Sequence, residues 1–341
     1  MKNNLIGILN HCRVKSSLSG FLSFPALAFI LLMIPFGSSA QSRDEVYSYL
    51  KTMGNGSWLF GQVATWVHNE NPDMDQPGNW MKKIYDHTGK MPRYGCITYD
   101  YDDNPFSDKQ WNEGVKKMWE RGLIVGVYNF FANPCGGAWK DKVVIDPIFA
   151  ADDNQVKSNF YKQMDRMALN MQWLKDQGIP VVYTPFVELN DKNKWHAREG
   201  SKNGIRLYRL VHDYFTAKGL DNIIWAYHTT QGEGALEEYY PGDEYVDVIG
   251  KSAYGSGLIF SEYDWAVEKK KNHDKVIWWA ELGIRDQSEP AVDCFNVLRK
   301  LESTFPELAG FVFWSDDGYF NVTGNLNGPA FMSDPKIVTL K

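Results

Sequence analysis

The feature that most constrains this chain is an eightfold alternation. Apolar runs at 57–64, 93–100, 122–130, 180–186, 222–228, 246–254, 275–281 and 308–315 are separated by stretches with helical spacing. Such near-continuous runs suit strands buried on both faces, as in a parallel sheet. The clearest helical stretch is 154–177, where Phe160, Met164, Met167, Ala168, Met171 and Leu174 recur at three and four. Others lie at 108–121, 204–218, 262–273 and 289–305, after a leader helix at 43–53. Asp108 and Asp152 stand where helix N-caps are wanted, and Gly122, Gly178 and Gly219 where helices should stop. Strands alternating with helices predict a parallel sheet, and eight units over about 300 residues suit a closed barrel. The expected fold is therefore α/β, a (β/α)8 TIM barrel in a single domain spanning 41–341.

The first forty residues stand apart. Lys2, Arg13 and Lys15 form a positive start, 21–36 is a charge-free apolar run, and Gly37-Ser-Ser-Ala40 supplies small residues before Gln41. This pattern predicts a secretory signal peptide at 1–40 and a secreted or periplasmic protein. The alternative is a retained anchor, for which the run is short against the roughly 20 residues a span needs. Removal of the signal leaves Cys96, Cys135 and Cys294, and their disulfide status stays open.

A net charge of -6 gives no sign of a nucleic-acid partner. His residues are scattered at 11, 68, 87, 196, 212, 228 and 273. No pair has metal-ligand spacing and no Gly-rich phosphate loop occurs, so neither metal nor cofactor is expected. Aromatic content is high: 13 Trp, 18 Tyr and 19 Phe. Much of it belongs in the core, but the loop residues Trp66, Tyr101 and Trp139 are candidate platforms for sugar rings.

In a TIM barrel the chemistry sits at the C-terminal ends of strands. Asp100 and Asp102, Glu188, Glu281, and Asp316 and Asp317 follow the second, fourth, seventh and eighth runs. Glu188 and Glu281 stand out because each ends a long apolar run. The fourth and seventh strands lie across the barrel mouth from each other. Two facing carboxyls are what glycosidic cleavage needs, one to protonate the leaving oxygen and one to attack or activate water. An apolar wall should keep the acid protonated while a hydrogen-bonded partner stays ionised.

These residues also carry a resemblance. Tyr240-Pro-Gly-Asp-Glu-Tyr-Val-Asp-Val-Ile-Gly250 is similar to the Tyr-Pro-Gly-Asp-x-Tyr-Val-Asp-Ile-Val-Gly segment of glycoside hydrolase family 26. Pro185-Phe-Val-Glu-Leu-Asn190 resembles that family's acid/base motif, and Ala280-Glu-Leu-Gly283 its nucleophile motif. The match runs in order over about 58–318. It implies a retaining β-glycanase on a (β/α)8 barrel, most often an endo-β-1,4-mannanase, with β-1,3-xylanases and mixed-linkage glucanases among the members. Glu188 would be the acid/base and Glu281 the nucleophile. Tyr254 would hydrogen-bond the nucleophile, and Trp314 would floor the subsite where the bond breaks. Asn133, Asn190 and Trp195 also fall where the family has site residues.

The departures are informative. The family's His before the acid/base is Val187 here, its Arg before the Pro is Thr184, and the His of its third-strand motif is Phe130. A hydrogen bond lost with its partner left buried costs about 1–3 kcal/mol. Positions 187 and 130 are therefore expected to bear on which sugar is taken. The partner expected is a β-linked polysaccharide or oligosaccharide, with no nucleic acid and no stable membrane insertion after signal cleavage. A non-hydrolytic glycan-binding barrel is the rival reading.

Overall fold

The computed structural model describes residues 41–340, apart from 66–69, 101–105, 233 and 315–316. The predicted signal peptide, Trp66, Tyr101, Asp102 and Asp316 lie outside the described residues. Eight parallel strands form the barrel: β1 (Trp58–Thr65), β2 (Tyr94–Asp100), β3 (Ile124–Phe130), β4 (Val181–Thr184), β5 (Ile223–Thr229), β6 (Val248–Tyr254), β7 (Val276–Gly283) and β8 (Gly310–Phe313). Each pairs with the next, and β8 returns to β1 through Leu59–Gly310 to Gln62–Phe313, closing the sheet. Two short strands lie outside this cylinder. Ile337–Leu340 pairs with the start of β1 and, antiparallel, with Met91–Pro92.

Side-chain direction follows the period of two. Along β3, Ile124, Tyr128 and Phe130 point into the barrel, while Val125 and Val127 meet the surrounding helices. The helices form where expected with ends moved. Asn154 and Ser107 cap Gln155–Asp176 and Asp108–Glu120, so Asp152 and Asp108 are not the caps. Both helices are followed by a left-handed glycine, Gly178 and Gly122. The stretch expected from 289 becomes helical only over Phe295–Ser303. Pro290 favours an extended residue before it, which is consistent with that late start. Trp80–Thr88 is a helix that the periodicity reading left out.

The leader helix α1 (Arg43–Lys51) closes the N-terminal end of the barrel. Ser42 and Glu45 form a capping box, and Val46 and Leu50 are fully buried with Leu59, Ile224, Val248 and Val276 in the barrel interior. Arg43 Nε donates to the Ile223 carbonyl at 3.2 Å, and Tyr47 Oη to the Asp274 carbonyl at 2.6 Å. With one end filled, polar side chains converge at the other.

Candidate active site

Two breaks in strand regularity bring the carboxyls to the barrel mouth. Val187, just past β4, points inward, so strict alternation would turn Glu188 away. Glu188 instead takes a left-handed backbone, φ 53°. For a residue with a Cβ that conformation costs roughly 1–2 kcal/mol. The second break is in β7. Val276, Trp278 and Ala280 face inward, which would send Glu281 outward. Between β6 and β7 the register slips, however: Lys251 pairs with Trp279 but Ser252 pairs with Glu281. Leu282 then packs on the helix side. This bulge inserts one residue and re-aims Glu281 into the mouth.

The two carboxyls and the His228 ring each present an atom within 4.8 Å of the others. Tyr254, at the end of β6, donates its hydroxyl to Glu281 Oε2 at 2.8 Å. Glu281 Oε1 is buried without a hydrogen-bond partner. Glu188 is held from both sides. Ser252 Oγ donates to Oε1 at 2.8 Å, and Lys194 Nζ donates to Oε2 at 3.0 Å. His228 Nε2 lies 2.9 Å from Ser252 Oγ. Because that hydroxyl donates to Glu188, it accepts from a protonated Nε2. Nδ1 is then the bare nitrogen, and it is buried without a partner. Burial lowers the His228 pKa to about 3, so the ring is neutral. These three are the His and acidic residues whose ligand-type atoms converge among the described residues. The Lys194 ammonium already neutralises one of the carboxylates, which suits proton sharing rather than a cation.

The electrostatics invert one expectation. Burial, followed by the negative charge of Glu188, pushes Glu281 up to about 8, and the Tyr254 hydrogen bond does not offset them. Burial acts upward on Glu188 too, but the Lys194 charge and the hydrogen bonds from Lys194 and Ser252 outweigh it and hold the carboxyl below its usual range. The apolar wall thus protonates the residue expected to attack, and the hydrogen-bonded carboxylate is the one expected to donate. The pair carries one proton over a wide pH range, resting mainly on Glu281. The state with that proton on Glu188 is the minor one.

The remaining expected residues divide. Trp314 follows β8, 8% exposed, and shares the interior cluster with Phe130, Val187, Tyr254 and the half-buried Trp139. Asn190 and Asn133 spend their amides on loop structure. Asn190 Oδ1 accepts from Thr230 N and its Nδ2 donates to Thr230 Oγ1, both at 2.8 Å. Asn133 caps its own loop through Cys135 N at 2.9 Å and the Ala138 carbonyl at 3.2 Å. Trp195 is a correction: it is 1% exposed and packs with Phe160 and Phe186 in the helix layer, its Nε1 donating to the Phe131 carbonyl. A ring buried there cannot stack on a sugar. Asp317 caps the turn that follows it, with no part in the pair.

The family model of glycosyl hydrolase family 26 matches residues 37–319. The chain belongs to glycosyl hydrolase family 26. "Mannan endo-1,4-beta-mannosidase" of Bacillus subtilis (strain 168) is 24% identical over 257 residues, 69% of each chain. "Mannan endo-1,4-beta-mannosidase A and B" of Caldalkalibacillus mannanilyticus is 24% identical over 310 residues, 81% of this chain but 56% of its own length. This chain therefore spans little more than half of that relative. A solved Bacillus subtilis mannanase superposes with a TM-score of 0.74 at 20% identity, over 90% of this chain and 95% of its own, a likeness of fold.

Against the family motif, the residues that sequence reasoning missed are Lys194, Ser252 and His228. Lys194 offered one signal, a lysine nine residues after Pro185 and directly before Trp195. Ser252 gave none. Within the motif, Gly283 has a clear reason. A Cβ there would lie 2.4 Å from Phe320 Cδ1 and 2.6 Å from Tyr254 Cδ1, so only glycine lets Tyr254 reach Glu281.

Proposed function

We propose that this protein is an exported, retaining, endo-acting β-1,4-mannanase. The observation that carries the reading is the spacing of Glu188 and Glu281, with atoms within 4.8 Å of each other and Tyr254 bonded to one of them. Retaining glycosidases hold their carboxyls about 5–5.5 Å apart, whereas inverting ones leave room for water. Mannan is favoured because the curated relatives bear that name. Export rests on the signal-like pattern of 1–40. No helix among the described residues is long and apolar enough to cross a membrane.

In the first step the Glu281 carboxylate attacks the anomeric carbon. The bond to the glycosidic oxygen breaks, and that oxygen takes the proton from Glu188. In the second step Glu188, now ionised, removes a proton from water. The water oxygen bonds to the anomeric carbon and Glu281 leaves as carboxylate, so configuration is retained. Trp314, Trp139 and Phe130 supply apolar surface to the sugar around that carbon.

The test is a reducing-end screen over β-mannan, mixed-linkage β-glucan and β-1,3-xylan, with product sizes resolved. Internal cleavage of mannan, lost by about 10³-fold or more in Glu281→Gln, is the expected result. Preference for another β-glycan would reassign the substrate and make Val187 and Phe130 the residues to examine. Calorimetric binding without release of reducing ends would replace hydrolysis by glycan capture.

A further inference from the structure

Lys194 is the buried charge that the family motif does not account for. The residue is 4% exposed. Lysine is almost never that buried unless paired, because taking an ammonium out of water costs several kcal/mol. Its Nζ donates to Glu188 Oε2 and to the Val187 carbonyl, both at 3.0 Å, and lies 3.7 Å from Asp191 Oδ2. The remaining surroundings are aromatic. The ammonium is 5.6 Å from the centre of the Phe130 ring and 5.4 Å from that of Trp139, distances at which a cation is attracted to a ring face.

Val187 and Phe130 are the two positions at which the family motif carries histidine. Here one supplies a carbonyl to the ammonium and the other a ring beside it. A protonated imidazole at 130 would repel this cation, whereas phenylalanine welcomes it. The carbonyl at 187 would be there with any side chain, so it is the departure at Phe130 that forms one arrangement with the buried lysine. We propose that Lys194 is a positioning residue of this active site, whose ammonium fixes the orientation and the negative charge of Glu188.

The assignment of Glu188 as acid/base rests on the hydrolytic reading above; the pinning of its carboxylate does not. The charged or titratable groups facing the pair are Lys194, Asp191 and His196 from the loop after β4, His228 from β5, Tyr254 from β6, and Tyr128 and Cys96 from the barrel interior. Lys194 is the nearest cation to Glu188 among them. Removing it should raise both apparent pKa values of the pair, whereas an opposite charge at this range lowers a carboxyl by about 1–3 pH units.

The experiment measures kcat/KM against pH for the wild type, Lys194→Met and Lys194→Arg on a mannan oligosaccharide. The expected result is a bell displaced to higher pH by about one unit or more in Lys194→Met and left in position by Lys194→Arg. A lysine that merely packs would lower the bell without moving it, and an undisplaced Lys194→Met profile overturns the proposal. Carbon-13 titration of Glu side chains in the unaltered protein, with Glu188 identified through Glu188→Gln, is an independent readout. A Glu188 carboxyl titrating at or above about 4.3, the ordinary value, sinks the proposal even if the lysine variants do not fold; titration below it supports the proposal when it stays there in Ser252→Ala, which leaves Lys194 in place, and overturns it when it does not. Should the wild type cleave no β-glycan, the hydrolytic reading fails while the titration still decides the role of Lys194.

Discussion

The Tyr254 hydroxyl lies 2.8 Å from Glu281 Oε2, while the other oxygen of that carboxyl is buried with no partner. One hydrogen bond is thus all that the described side chains offer to the charge Glu281 must carry before it attacks. A hydrogen bond to a charged group is worth about 1.5–3 kcal/mol. Tyr254→Phe is therefore expected to lower kcat/KM by roughly 10–100-fold. It should also move the alkaline limb of the pH profile upward, since the lost bond favoured the ionised form of Glu281, the member of the pair that titrates at about 8. A variant as active as the wild type across that limb would refute the assignment.

Glu281 also links activity to pH-dependent stability. Its carboxyl is pushed up to about 8 in the folded protein, against about 4.3 in an unfolded chain. The folded state therefore keeps a proton that the unfolded chain releases. The stability this confers is complete below about pH 4 and is lost as the pH climbs to about 8. Glu281→Gln has no such loss. Thermal unfolding should show the variant gaining on the wild type between pH 4 and 8, even as its activity disappears. A constant difference in Tm across that range would contradict the burial argument.

Trp195 and Trp139 separate packing from substrate contact. Trp195 is 1% exposed amid Phe160 and Phe186, and Trp195→Ala should cost about 3–5 kcal/mol of stability. Trp139 is half-buried at the mouth, against Phe130. Trp139→Ala should spare much of the stability and raise KM. Chemical unfolding paired with steady-state kinetics distinguishes them, and the reverse pattern would exchange their roles.

Gly283→Ala tests the support behind the nucleophile. The new methyl would stand 2.6 Å from the Tyr254 ring and 2.4 Å from Phe320. Overpacking of this kind costs about 1–3 kcal/mol. The expected signature is a kinetic defect like that of Tyr254→Phe with the tyrosine still present. If kcat/KM were unchanged, Tyr254 would have another route to Glu281.

The barrel was legible because its strands are buried on both faces and read as uninterrupted apolar runs. The two carboxyls were legible because each ends such a run. How they reach the same space was not. Simple alternation points both away from the mouth, and the left-handed backbone at Glu188 and the extra residue in β7 leave no mark in residue type. Lys194 was hidden for another reason. A lysine in a polar loop ordinarily extends into water, and only the shape of the mouth turns this one inward. Trp195 shows the opposite error, since its place in the motif suggested a sugar contact but its ring fills the helix layer. The helix caps moved by one or two residues, because Ser107 and Asn154 bond the first-turn amides where nearby aspartates do not.

The plug at the barrel floor bears on when this protein becomes whole. Its contacts with Ile223 and Asp274 span 180 and 227 residues of sequence. During synthesis from the N-terminus, α1 emerges first yet finds its seat only after β5, β6 and the start of β7 exist. Under the export proposed above, that delay is useful. The segment that would follow a signal at 1–40 has nothing to fold onto until most of the protein has been made, which would leave the nascent chain threadable through a narrow secretion pore.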